Sequence, residues 1–293
     1  MFRNIIISLR PRQWLKNLFV FAALIFARQF TEPHQLLLSV AAFIIFCLLS
    51  GAVYLFNDLA DAEGDRRHEV KKDRPIASGR LSKPAAFITA FLISLAALAA
   101  GFLIRPSFGG IAFLYLVMMI AYSLFLKHVV IVDVIMIAFG FILRVLAGGV
   151  IIQVPISDWL YLCTFLLSLF LALSKRRHEV VLLGEDAGLH RKILREYSAP
   201  LLDQMIAVVT SSTLMAYALY TLTPRTRIMV STKLYLTIPF VVYGIFRYLY
   251  LVHRKTGGGQ PEKTLLTDPA LMINICLWVI SVFLILRFFP PAA

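Results

Sequence analysis

Residues 57–83 read NDLADAEGDRRHEVKKDRPIASGRLSK, a polar stretch set between two long apolar runs. The run before it, Leu36–Phe56, and the run after it, Ala85–Ile104, carry almost no charge. Asp58, Asp61, Glu63, Asp65 and Glu69 precede the second basic cluster of the stretch. If the preceding apolar helix continues past Phe56, Asp58, Asp61 and Asp65 fall at i, i+3 and i+7, on one helical face. Like charges so placed repel each other, so something offsets them. One answer is a solvated loop whose acids pair with Arg66, Arg67, Lys71 and Lys72. The other is magnesium, a hard cation that takes oxygen ligands and bridges carboxylates to a substrate's phosphates. The acids stand at the end of a buried-looking apolar helix, with Asn57 beside them, and that position favours metal and diphosphate.

The same apolar runs recur along the whole chain. Of 293 residues 60% are hydrophobic, where a soluble domain is nearer half. The expected fold is all-α: a polytopic membrane protein of about nine transmembrane helices in a single domain over residues 1–293. The spans fall near Leu15–Phe30, Leu36–Phe56, Ala85–Ile104, Phe108–Leu126, Ile131–Ile152, Trp159–Ser174, Leu201–Leu222, Leu234–Val252 and Pro269–Phe289. Arg3, Arg10, Arg12 and Lys16 before the first run mimic a signal peptide, but no small-x-small site follows before Arg28, so an uncleaved span is expected.

The net charge of +13 would suggest nucleic acid in a soluble protein. Here it reflects positive-inside topology and anionic lipid or phosphate ligands, and no groove-reading or stacking motif supports nucleic acid. With the N-terminus cytoplasmic, the three long loops, 57–84, 175–200 and 253–268, share its side and carry most of the Lys and Arg. The C-terminus then lies outside. Asn57 and Lys175 both follow an even-numbered span, which hints at two four-helix halves and a ninth helix. Cys47, Cys163 and Cys276 lie within apolar runs and read as buried small hydrophobes.

The second long loop opens Ser174-Lys175-Arg176-Arg177-His178-Glu179. Lys175 and Glu179 stand at i, i+4 on one helical face. The cluster is either a membrane anchor or a phosphate site, for which Arg supplies forked donors and Lys a point charge. Residues 73–80, DRPIASGR, form a shaped turn in which Arg74 and Ser78 are candidate phosphate contacts, with Lys71 just before. Tyr122, Lys127 and Asp133 flank the connection between the fourth and fifth spans on the cytoplasmic side and are candidate substrate contacts. Arg144 lies deep in the fifth span before Gly148-Gly149. It faces either a cavity or a salt-bridge partner, while the glycines suit close helix packing. Lys16 and Asn17 enter the first span and are candidates to line a cavity; Trp14 reads as an interfacial anchor.

These residues resemble the UbiA superfamily of intramembrane prenyltransferases. Asn57, Asp58, Asp61 and Asp65 match its NDxxDxxxD motif, DRPIASGRLS resembles the turn after it, and the span layout matches over essentially the whole chain. Typical members carry a second aspartate-rich motif after the sixth span, used with a second magnesium. Here Lys175-Arg176-Arg177-His178-Glu179 stands in its place. That KRxxE pattern, with RPRQWLKN at the start and GFILRVLAGG in the fifth span, is similar to the branch that uses phosphoribosyl pyrophosphate as donor and a polyprenyl phosphate of the decaprenyl type as acceptor.

The resemblance implies a multi-pass protein of the bacterial plasma membrane. Its active site would be cytoplasmic and magnesium-dependent, with Asp58, Asp61, Lys175, Arg176 and Glu179 catalytic. Lys16, Asn57, Lys71, Arg74, Ser78, Tyr122, Lys127, Asp133 and Arg144 would bind substrate. A homo-oligomer stays open. A phosphoribosyl donor has a diphosphate at one end and a 5-phosphate at the other, which suits an acidic metal site plus a basic cluster. The alternative is a conventional member that moves a prenyl group to an aromatic or other small acceptor; a rival of another class is an anion transporter. The gathering of charge on one face argues against the transporter.

Overall fold

The computed structural model describes residues 1–66, 71–183, 192–254 and 261–289. Arg67 and Glu69 of the acidic stretch lie outside the described residues. Among the described residues eight helices are long and apolar enough to cross a membrane: Pro33–Ala60, Lys83–Ile104, Pro106–Leu124, Val132–Ile152, Asp158–Leu182, Ala199–Leu222, Leu234–His253 and Pro269–Phe288. The chain divides into two compact units, one of Met1–Ile25 with Gln29–Pro155, the other of Phe26–Arg28 with Ile156–Ala293. The division falls after the fifth expected span, one span later than two four-helix halves require.

The first unit opens with α1 (Phe2–Leu9) and a 3₁₀ segment (Pro11–Phe21) that runs into α2 (Ala22–Phe26), all but the last residue of which belongs to this unit. It continues with α3 (Pro33–Ala60), α4 (Ala62–Arg66), α5 (Lys83–Ile104), α6 (Pro106–Leu124) and α7 (Val132–Ile152). The first expected span is therefore no regular α-helix. Eleven 3₁₀ residues at about 2.0 Å and five α residues at about 1.5 Å still cover roughly 30 Å, a bilayer's apolar thickness. Close packing accompanies the thin helix: a Cβ on Gly148 of α7 would sit 2.0 Å from the Val20 carbonyl oxygen. Glycine at 148 is what lets the 3₁₀ backbone lie directly on α7.

A small core holds the polar stretch in place. Leu9, Ala52, Leu55, Ala62, Ile76, Leu81, Ala86 and Ala90 are buried together, with Trp14, Phe56 and Leu59 against them. Ile76 and Leu81 thus pull the 73–81 turn back onto α3 and α5. Gly79, at φ +76°, supplies the left-handed residue that this reversal needs, and the Leu81 N–H donates to the Pro75 carbonyl at 2.8 Å. On α5, Phe87, Ile88, Phe91, Leu92 and Leu95 are exposed, as a lipid-facing surface would be.

The second unit holds α8 (Asp158–Leu183), α9 (Ala199–Leu222), α10 (Pro224–Met229), α11 (Ile238–Arg254), α12 (Pro261–Thr267) and α13 (Pro269–Phe288). α9 lies along α8, and α11 packs on α13. Tyr217 joins α9 to two neighbours: its hydroxyl is 2.7 Å from Thr237 Oγ1 and accepts from Trp278 Nε1 at 3.1 Å. Asp268 caps α13 through the Leu271 N–H at 2.9 Å and also takes the Arg247 fork at 3.0 and 2.8 Å. Cys47 is buried, but Cys276 is on the exposed face of α13, so burial does not extend to all three thiols.

Candidate functional site

In the first unit, α3 continues four residues beyond Phe56 and carries Asn57 and Asp58 with it. Asp61, at φ −92° and ψ 0°, interrupts the helix, and α4 resumes at once. Its N–H donates to the Asn57 carbonyl at 2.9 Å, and the Asp65 N–H donates to the Asp61 carbonyl at 2.9 Å, so the helical sense carries across the break. Asp58 and Asp65 meet at Arg74, whose Nη1 donates to Asp58 Oδ1 at 3.0 Å and to Asp65 Oδ2 at 2.6 Å. Arg10 Nη2 donates to the same Asp58 Oδ1 at 2.5 Å. Asp61 instead takes Lys127 Nζ, at 2.8 and 2.9 Å, and Lys127 also reaches Asn57 Oδ1 at 3.4 Å.

The single face expected of the three acids thus holds for Asp58 and Asp65, while Asp61 turns to Lys127. Among the described residues no three Asp, Glu, His or Cys side chains gather closely enough to form a metal cluster. Two carboxylates that converge on one guanidinium nitrogen nevertheless fit a hard cation. Magnesium commonly takes one or two carboxylates and completes its shell with substrate phosphates and water. Asp58 is 2% exposed and Asp65 4%, and burial so deep requires each charge to be compensated.

The turn that follows holds Arg74 in place. Ser78 Oγ donates to the Arg74 carbonyl at 2.8 Å and accepts from Arg80 Nε at 2.9 Å, so its hydroxyl shapes the turn. Arg66 Nε donates to the Ala77 carbonyl at 3.1 Å. Lys71 lies in a 3₁₀ turn, and its carbonyl accepts from the Arg74 N–H at 3.0 Å. Lys16, on the first 3₁₀ segment, and Tyr122, near the end of α6, are half-buried. Asp133 is 0% exposed in the first turn of α7, whose positive end favours a carboxylate; this places it behind the site's surface.

Arg144 forms a separate buried network. Its Nε donates to Asn17 Oδ1 at 2.7 Å, Nη1 to the Gly140 carbonyl at 2.8 Å and Nη2 to the Tyr115 hydroxyl at 2.8 Å. Asn17 in turn donates to Ser50 Oγ at 3.1 Å and Cys47 Sγ at 3.3 Å. Among the described residues no carboxylate pairs with Arg144, so neutral acceptors and the Tyr115 ring, 4.8 Å away, replace the salt bridge that sequence reading kept open. Asn17 joins the first segment to α3 and α7 at 0% exposure and lines no open cavity.

In the second unit, Lys175, Arg176 and Glu179 lie on α8, which runs nine residues past the expected end of its span. They are helical, as the i, i+4 reading of Lys175 and Glu179 has it, and hydrogen bonding carries the helix on into the segment read as the second long loop. Lys175 Nζ is 3.9 Å from Glu179 Oε1, and Arg176 Nη1 is closer to Glu179 Oε2, at 2.6 Å. Arg176 is 2% exposed. Arg177 forks onto Asp203 of α9, whose Oδ1 is also 3.2 Å from His253 Nε2 of α11, so three helix ends meet at one carboxylate.

Sequence reading missed Arg10, Asp203 and His253. Arg10 stands among basic residues whose count explains topology, so its charge raises no question there. The signal that points to it is Asp58, a buried carboxylate that one arginine does not saturate.

The fold and site define a membrane-embedded transferase: the chain belongs to the UbiA prenyltransferase family, whose pattern matches residues 17–267. Over most of its length it is 31% identical to the decaprenyl-phosphate phosphoribosyltransferase of Mycobacterium tuberculosis, across 285 residues that cover 95% of this chain and 93% of that one. The enzyme of the same name from Corynebacterium glutamicum is 32% identical over 293 residues, 97% of this chain and 86% of the relative. The fold is also that of a UbiA homologue from Archaeoglobus fulgidus solved with GPP and Mg2+, at a TM-score of 0.72 and 18% identity, covering 97% of this chain and 99% of that one.

Proposed function

We propose that this chain transfers a 5-phosphoribosyl group from phosphoribosyl pyrophosphate to a polyprenyl phosphate of the decaprenyl type and releases diphosphate. The observation that carries the reading is the end-to-end likeness to relatives named for that acceptor and that transfer. An oxygen of the acceptor phosphate attacks the anomeric carbon while the bond from that carbon to the diphosphate oxygen breaks. The acceptor is already anionic at neutral pH, so no side chain has to remove a proton.

Asp58, Asp61 and Asp65 are the proposed magnesium ligands, with Asn57 assisting. Magnesium bound there would offset the charge that builds on the departing diphosphate. Arg74 and Lys127 are proposed to donate to phosphate oxygens; both already stand against the acids, which supports that role. Lys16, Lys71, Ser78 and Tyr122 border the same unit's polar end and are proposed to orient substrate. Asp133 and Arg144 support it from buried positions. Lys175 and Arg176 are assigned to a phosphate, with Glu179 orienting Arg176 at 2.6 Å. A single transferase domain over residues 1–293 is proposed, with the N-terminus on the cytoplasmic side of a bacterial plasma membrane. The test is purified protein with labelled phosphoribosyl pyrophosphate, magnesium and decaprenyl phosphate. A labelled lipid is expected. Turnover with a prenyl diphosphate and an aromatic acceptor, and none with the phosphoribosyl donor, would overturn the reading in favour of a conventional prenyltransferase.

A further inference from the structure

Arg10 is one of four non-glycine residues with positive φ among those described, at φ 52° and ψ 64°, a conformation that L residues disfavour. It forms the corner between α1 and the 3₁₀ segment. The corner carries its guanidinium over the Tyr54 ring, 4.6 Å from the centroid, and onto Asp58 Oδ1 at 2.5 Å. That oxygen also accepts from Arg74 Nη1 at 3.0 Å, and the same nitrogen holds Asp65 at 2.6 Å. Lys127 holds Asp61. Within this cluster three carboxylates therefore face three cations, Arg10, Arg74 and Lys127.

A balanced cluster offers a lone divalent cation little net attraction, and the cation must compete with the arginines for Asp58 Oδ1 and Asp65 Oδ2. Diphosphate changes the balance, because it brings anionic oxygens that the displaced arginines can take in exchange. The side chains differ in their freedom to do so. Asp58 and Asp65 are 2% and 6% exposed at the side chain, while Arg10 and Arg74 are 27% and 25% exposed. The arginines are the partners with room to turn.

We propose that Arg10 is an exchangeable counter-ion of Asp58. Its guanidinium leaves the carboxylate for a diphosphate oxygen when cation and diphosphate enter, so the site takes the two as one unit. This rests on the reading that the acidic end holds a diphosphate donor. By linkage, each ligand then strengthens the other by the same factor.

The test measures Mn2+ binding to the full chain in detergent by electron paramagnetic resonance, with and without inorganic diphosphate, against the same titrations lacking protein. Arg10→Met keeps an apolar stem over Tyr54 and removes the charge. It should bind Mn2+ alone about tenfold more tightly, since one charge-assisted competitor is gone, and diphosphate should enhance that binding about tenfold less than in wild type. Arg10→Lys keeps the charge without the fork and should retain most of the coupling. Adding Asp58→Asn to Arg10→Met should abolish the gain, which locates the ion at Asp58. If Arg10→Met binds Mn2+ alone no better than wild type, while Mn2+ with diphosphate still binds wild type, the counter-ion role is wrong and the donor site stands. If no form binds Mn2+ with diphosphate, the donor site itself falls, and the exchange with it.

Discussion

Asp58→Asn keeps the shape of the most enclosed acid and deletes its charge. The native carboxylate accepts charge-assisted hydrogen bonds from Arg10 at 2.5 Å and Arg74 at 3.0 Å. Each such bond contributes about 1.5–3 kcal/mol. Both arginines are about a quarter exposed, so water recovers part of the loss, and a net cost of about 2–3 kcal/mol follows. For a chain of this size that lowers the apparent melting temperature by roughly 4–12 °C. Turnover should fall at least about a hundredfold, because a proposed ligand of the leaving-group cation is lost. Asp65→Asn, which removes one arginine contact instead of two, should lower the melting temperature by about half as much. Melting curves in detergent and labelled-lipid formation check both effects. An Asp58→Asn protein that melts and turns over like wild type would refute the charge-compensated cluster and the metal assignment together.

Gly148→Ala puts a Cβ 2.0 Å from the Val20 carbonyl oxygen, so the 3₁₀ segment must move off α7, and a loss of about 1–3 kcal/mol in the thermal melt is expected. Arg144→Met leaves Asn17 Oδ1 and the Tyr115 hydroxyl without their donor inside the membrane; a destabilisation of about 2–4 kcal/mol is expected in the thermal melt. Arg176→Ala should weaken donor binding roughly ten- to a hundredfold, and much less for a donor analogue without the 5-phosphate; equal losses for both would show that the arginine does not read that group. Reporter fusions after Gly79 and Gly188 should report cytoplasm and one at the C-terminus the outside; a cytoplasmic C-terminus would overturn the orientation.

Much of this protein is legible in one dimension. Long apolar runs dictate a helical membrane protein, because backbone groups in lipid must bond within their own helix. The NDxxDxxxD motif at Asn57, Asp58, Asp61 and Asp65 resembles that of the family, and the KRxxE cluster with RPRQWLKN and GFILRVLAGG resembles its phosphoribosyl-transferring branch. Span boundaries were less legible. Hydropathy falls where charge begins, yet α3 and α8 run on through charged turns, since helix hydrogen bonding does not stop at the membrane edge. Pairings between distant residues could not be read at all. Arg10 meets Asp58 across 48 positions, Lys127 meets Asp61 across 66, and Arg144 meets Asn17 across 127. Composition settles which charges the chain holds. Only the folded backbone decides which of them neutralise one another, because that depends on a left-handed corner at Arg10, a break at Asp61 and a glycine at 148 that admits a thin helix.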